Sequence, residues 1–150
     1  MTDNLFSGIE NSPIAETNKF GKIFSDGGSR GNPGNAGCGF VIYGKDNKEI
    51  TRGGENCGHQ TNNFAEYRSM MLALEKCVEL GISEVEMYMD SKLVVEQMKG
   101  NWKVKNANLK PLFEKAVILK EQIPSLKFFH IPREKNKVAD SIANEFMDRG

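Results

Sequence analysis

The chain has 150 residues, 20 basic against 20 acidic side chains, and 39% hydrophobic residues, which is about one domain and enough to bury roughly two thirds of its unfolded surface. Folding then needs no disulfide or structural metal. No run of about 18 apolar residues and no basic-then-apolar leader occurs, so the expectation is a monomeric cytoplasmic protein with no membrane partner. Cys38, Cys57 and Cys77 are odd in number and form no C-x-x-C pair, which fits reduced thiols packed as small hydrophobes.

Residues 1–18 are polar without a sustained apolar period and read as a loose tail ahead of one domain spanning 19–150. Phe20 to Asp26 reads as a strand, Ala36 to Tyr43 as a second with an apolar run suited to burial on both faces, and Glu49 to Glu55 as a third. Gly31-Asn32-Pro33-Gly34 and Asp46-Asn47-Lys48 are the turns between them. From a cap at Thr61 or Asn62 the period becomes helical, through Phe64, Tyr67, Met71, Leu74 and Val78, until Gly81 ends the run. Glu84 to Asp90 alternates as a fourth strand, and Ser91 caps a short helix through Gln97. A further helix covers about Asn106 to Gln122, with Pro111 near its first turn. Leu126 to Ile131 is a fifth strand, and a last helix from Asn136 to Met147 turns Val138, Ile142 and Phe146 inward. The order βββαβααβα implies an α/β fold, a five-stranded mixed sheet with its first three strands antiparallel and helices on both faces.

Charge is unevenly spread. Residues 1–91 hold 8 basic and 13 acidic side chains, residues 92–137 hold 11 and 4, and residues 138–150 hold 1 and 3. The basic third is either a solvated face or the footprint of a polyanion, and lysines flanking Trp102 favour the second. Four acids stand out by position. Asp26 and Asp90 lie at strand ends, Glu66 in the first turns of a helix, and Asp140 near the start of the last helix. Singly, each is explained by a solvated turn or by a helix dipole. Crowded together, they would repel unless a cation lay between them, and an oxygen-only ligand set selects Mg²⁺ or Mn²⁺. Gly27 and Gly28 lack Cβ atoms, so a bulky ligand can approach the backbone beside Asp26.

Asp26-Gly-Gly-Ser-Arg-Gly-Asn-Pro-Gly, Thr61-Asn-Asn-Phe-Ala-Glu66-Tyr, Asp90-Ser91 and Pro132-Arg-Glu-Lys-Asn-Lys-Val-Ala-Asp140 together resemble type 1 ribonuclease H, in the branch ending P-R-E-x-N-x-x-A-D. The resemblance spans about residues 20–147. It implies a ribonuclease H-like fold and metal-dependent endonucleolytic hydrolysis of the RNA strand of an RNA–DNA hybrid, leaving 5′-phosphate and 3′-hydroxyl ends. It also implies that Asp26, Glu66, Asp90 and Asp140 hold two Mg²⁺ ions about 4 Å apart, with Mn²⁺ as a possible substitute. Asn32 and Thr61 would hold a phosphate of the DNA strand, and Asn62 and Asn63 would read the minor groove. The backbone at Gly27 and Gly28 would meet RNA 2′-hydroxyls, while Ser91 caps its helix.

Two departures accompany the match. Many family members carry a loop histidine before the last acid, whereas this loop has Arg133 as its candidate for an auxiliary catalytic role. The histidines of this chain, His130 inside the fifth strand and His59 before the helix cap, read as half-buried structural residues. The connection from Gln97 to Asn108 is too short for an extra basic helix, so Trp102 and Lys103 either supply weak hybrid contacts or, for Trp102, pack against Leu109. Two other readings stay open. One is a non-catalytic nucleic-acid-binding module of the same fold, whose signature would be a missing carboxylate. The other is a structural Ca²⁺ site, which lacks here its D-x-[DN]-x-[DN]-G loop.

Overall fold

The computed structural model describes residues 19–150, so the expected tail lies outside the described residues. The elements follow the expected order: β1 (Phe20–Arg30), β2 (Gly34–Tyr43), β3 (Glu49–Gln60), α1 (Asn62–Leu80), β4 (Glu84–Met89), α2 (Lys92–Met98), α3 (Lys110–Glu121), β5 (Ser125–His130), a 3₁₀ turn (Arg133–Lys135) and α4 (Lys137–Arg149). The sheet order is β3-β2-β1-β4-β5. β2 pairs antiparallel with β1 and β3, while β4 runs parallel to both β1 and β5.

Period-two burial fixes the register. Val85, Met87 and Met89 point into the core from β4 and Ile23 from β1, where they meet Tyr67, Met70 and Leu74 of α1 and Val94 of α2. β2 is buried along almost its whole length, as its apolar run requires of a strand covered on both faces. α1 lies over one face, since a Cβ on Gly27 would strike the Ala65 backbone; α4 lies over the other, against Gly37 and Gly39.

The helix ends follow from local chemistry. Thr61 caps α1, its Oγ1 accepting from the Phe64 N–H at 3.2 Å, and Gly81 stops it in the left-handed region at φ 71°, which costs a residue without Cβ little. Ser91 caps α2 by accepting from the Val94 N–H at 3.3 Å.

Several boundaries depart from the sequence reading. β1 and β3 continue past Asp26 and Glu55, because Gly27 and Gly28 still exchange ladder bonds with Cys38 and Gly37. α3 starts at Lys110, since Asn106 spends its side chain on the Asn108 and Leu109 N–H groups in a turn. Val138, expected inside, is 41% exposed, and Val78 is 37% exposed. Val138 sits in the first turn of α4, while the face turned to the sheet runs through Ala139, Ile142, Ala143 and Met147.

Candidate active site

β4 stops at Met89, so the parallel pairing of β1 with β4 ends at Ser25↔Met89. Asp26 and Asp90 are each the next residue beyond that pair. Asp26 is therefore not at the end of β1, as expected, but at the point where β1 loses one neighbour; a crevice at such a break is where ligands enter open α/β sheets. α1 adds Glu66, and α4 adds Asp140 from its first turn.

One carboxylate oxygen each from Asp26, Glu66 and Asp90 lies within 4.8 Å of the others. Asp140 lines the same groove and adds to the Asp26 shift through its carboxyl group, though it is not one of the three acids whose oxygens meet within 4.8 Å. Asp26 and Glu66 are buried, and Asp90 and Asp140 are partly so. The Asp26 Oδ1 accepts from the Gly27 N–H at 2.9 Å, while Glu66 Oε1 is buried with no hydrogen-bond partner among the described residues.

Burial first, then the charges of Asp90 and Asp140, raise Asp26 from 3.8 to about 8. Glu66 is pushed well above its usual value by burial, then by Asp26 and Asp90. An unpartnered buried carboxylate oxygen among converging acids is costly unless a cation is bound there. The donor set is oxygen only, so the residues fit a hard divalent cation.

The acids lie in a groove of about 370 Å³ that Gly27, Gly28, Asn62, Asn63 and Arg133 also line. Asn32 and Thr61 do not line it but brace its edge. Asn32 Oδ1 accepts from the Asn62 N–H at 3.0 Å, and Asn62 Oδ1 accepts from the Ser29 N–H at 2.8 Å. Gly27 owes its bare Cα to packing, since a Cβ there would lie 2.3 Å from the Ala65 carbonyl; at Gly28 the nearest atom would be Asn62 Oδ1 at 3.8 Å.

Trp102 and Lys103 lie outside the groove, and Trp102 is 45% exposed, so it does not form part of the core with Leu109. His59 and His130 are exposed rather than half-buried, and neither lines the groove.

Sequence reasoning missed Asn136. It is 1% exposed and its Nδ2 donates to the Ser25 carbonyl at 2.8 Å and to Asp90 Oδ2 at 3.1 Å. One amide thus ties the loop before α4 to both strands that carry acids. The available signal was an Asn at the start of α4 that makes no side-chain cap, and such a residue must find partners elsewhere when buried. Ser29, Arg30 and Asn144 on the groove wall were missed as well.

A family model described as reverse transcriptase-like matches residues 24–146. Ribonuclease HI of Halobacterium salinarum is 34% identical over 137 residues, covering 90% of this chain and 69% of that protein. A Mycobacterium tuberculosis protein described as bifunctional is 45% identical over 127 residues; the match takes in 84% of this chain but only 35% of that protein. The chain therefore spans about a third of the length of this relative. Its N-terminal RNase H domain, solved as a fusion with maltose-binding protein, superposes with a TM-score of 0.85 at 43% identity, covering 87% of this chain and 95% of that one. A compost-derived RNase H1 solved in complex with RNA/DNA hybrid superposes at 0.82 with 44% identity, covering 86% and 97%.

Proposed function

Since the chain belongs to the type 1 ribonuclease H family, we propose that residues 19–150 form a catalytic domain hydrolysing the RNA strand of RNA–DNA hybrids. The observation that carries this reading is the meeting of Asp26, Glu66 and Asp90 oxygens within 4.8 Å on the floor of an open polar groove, with Asp140 alongside. A neighbour of the same fold, 44% identical, is described in complex with RNA/DNA hybrid. Three free cysteines fit a cytoplasmic enzyme, and because all four acids come from one copy of the chain, a monomer can supply the whole site.

Asp26, Glu66, Asp90 and Asp140 would hold two divalent ions, Mg²⁺ or, in its place, Mn²⁺. When bound, such a pair supplies an activated water and neutralises charge on the scissile phosphate and the leaving 3′ oxygen. The remaining work falls to the chain. Asp26 and Glu66 are shielded from water, so their charges act at low dielectric. Asn136 holds the Asp90 carboxylate by its 3.1 Å donation, which keeps that acid aimed at the centre of the cluster.

Asn62, clamped between Asn32 and Ser29, fixes the wall against which one strand of the duplex lies, and Asn63 stands exposed beside it. Gly28 leaves backbone open to 2′-hydroxyls, the groups that separate RNA from DNA. Arg133, on the 3₁₀ turn and lining the groove, holds a phosphate through its guanidinium. It is too basic to relay protons near neutrality. Trp102 and Lys103 extend the contact outward as exposed groups.

The test uses purified full chain with end-labelled RNA–DNA hybrid, double-stranded RNA and double-stranded DNA, each with Mg²⁺, Mn²⁺ or EDTA. Cleavage confined to the RNA strand of the hybrid, present with either metal and absent with EDTA, is the expected result. Hybrid binding without cleavage under every metal condition would establish the non-catalytic module instead.

A further inference from the structure

Two of the three thiols lie together, neither of them lining the acidic groove. β2 and β3 pair Cys38 with Glu55, but the register then shifts, Gly37 facing Asn56 and Ala36 facing Gly58. Cys57 is the extra residue of that bulge. Gly58, at φ 73°, makes the bend, and its N–H donates to Asn56 Oδ1 at 2.9 Å. The result is a Cys57 Sγ 3.8 Å from the Cys38 Sγ. Cys38 is buried and Cys57 is half-buried, so one sulfur is reachable from solvent and the other is not. The Arg68–Glu55 ion pair, at 2.8 Å, stands over the same strands.

Their environments also divide the two thiols by role. Hydrogen bonding between the two sulfurs lowers Cys57, and Arg68 adds a smaller effect, against burial and the charge of Glu55. Cys38 is pushed up by the same partnership and by burial. The half-buried Cys57 is the sulfur that peroxide can reach and so the nucleophile, and the buried Cys38 at 3.8 Å is placed to resolve the product. Cys77, on α1, is buried and pushed up to about 12, so it is inert by comparison.

We propose that Cys57 and Cys38 form a peroxide-sensitive modification site, closing into an intrachain disulfide between β2 and β3. In the first step the Cys57 thiolate attacks one oxygen of hydrogen peroxide. The O–O bond breaks, Cys57 becomes a sulfenic acid, and the departing hydroxide takes up a proton to form water. In the second, the Cys38 sulfur gives up its proton and attacks Cys57 Sγ, the S–O bond breaks, and a second water leaves. Two thiols lose two electrons, and one peroxide is reduced to two waters. The sulfurs must approach by roughly 1.8 Å to reach bonding distance, and the bulge is the part of the ladder with an unpaired residue to yield.

The experiment exposes the full chain, metal-free, to a small excess of hydrogen peroxide, then counts thiols after unfolding and maps the peptides. The expected outcome is one remaining thiol of three, Cys77, with a Cys38–Cys57 peptide that dithiothreitol reverses. Cys38→Ser should arrest at a sulfenic acid on Cys57 that dimedone captures, Cys57→Ser should keep both remaining thiols, and Cys77→Ser should cross-link like the parent. The proposal is overturned if all three thiols survive an exposure that oxidises free cysteine. It is equally overturned if Cys57 passes to sulfinic acid while Cys38 stays free, or if the cross-link joins two chains.

Discussion

Replacing Asp26 by Asn should stabilise the metal-free protein at alkaline pH while abolishing cleavage. Asp26 rises from 3.8 to about 8 on folding, through burial and then the charges of Asp90 and Asp140. Between those values the native protein keeps a proton that the unfolded chain has released, so stability falls as pH rises through the window and the full cost is reached above it. The difference sets an upper bound of about 6 kcal/mol. Side-chain movement and water entry lower this for a real site, and a loss of about 2–3 kcal/mol is the working figure. Against a total of roughly 5–15 kcal/mol that loss is large, and for a chain of this length it lowers Tm by about 3–5 °C per kcal/mol.

Asn keeps the size of Asp and an oxygen to accept from the Gly27 N–H, but it carries no charge at any pH. It also removes the second-largest cause of the Glu66 shift. Urea unfolding in EDTA at pH 4, 6, 8 and 9 should therefore show parent and variant converging near pH 4, with the variant more stable above pH 8. Saturating Mg²⁺ should restore the parent by mass action and help the variant much less. Parallel stability curves from pH 5 to 9, or a variant less stable than the parent at pH 9 in EDTA, would refute the argument that these acids are crowded and repelling.

Gly27→Ala should destabilise by about 3 kcal/mol or more, because its Cβ would lie 2.3 Å from the Ala65 carbonyl; chemical denaturation measures this, and a cost under about 1 kcal/mol would contradict the close approach. Asn136→Ala leaves the Ser25 carbonyl and Asp90 without their donor and should cost about 1–3 kcal/mol, with kcat falling more than KM rises in a steady-state hybrid assay. Thr61→Val removes the α1 cap and should cost about 1 kcal/mol in thermal unfolding. If Lys99, Lys103 and Lys105 touch phosphates, their joint replacement by Ala should make the slope of log affinity against log salt shallower by up to about 2–3 units at unchanged saturated turnover; an unaltered slope assigns them to a solvated face.

The order of elements was legible because each obeys one period. Val85, Met87 and Met89 alternate, and Tyr67, Met71 and Leu74 recur at helical spacing. Caps at Thr61 and Ser91 were legible because a hydroxyl before a helical period has one obvious partner. Val138 was misplaced because an apolar residue in a first turn satisfies the same spacing whether or not the sheet extends beneath it. The extension of β1 through Gly27 and Gly28 was hidden because glycine pairs in a ladder without strand propensity of its own. Asn136 was invisible for a different reason. Its partners, the Ser25 carbonyl and Asp90, stand 111 and 46 residues away, and nothing local says that an Asn will be buried. The four acids could be picked out by position, but their separation could not, because it depends on how closely two helices approach the sheet.

That approach is set by missing side chains. α1 reaches the sheet where Gly27 has no Cβ to meet Ala65, one residue before Glu66. On the opposite face, α4 settles onto Gly37 and Gly39, where added Cβ atoms would fall 2.7 Å from the Ala143 carbonyl and 2.6 Å from Ile142. Gly39 is the register partner of Asp26, and Gly37 that of Gly28, so both helices come closest around one point on β1. A carboxylate next to each contact, Glu66 on α1 and Asp140 ahead of Ile142 on α4, is carried toward Asp26 by packing that gains apolar burial elsewhere, at Leu74, Ala139 and Met147. The repulsion among the acids is thus opposed by helix–sheet contact rather than by any cation of the chain, since no Lys or Arg forms an ion pair with them among the described residues. A fold that holds acids together in this way leaves room in the cluster for a charge that arrives from solution.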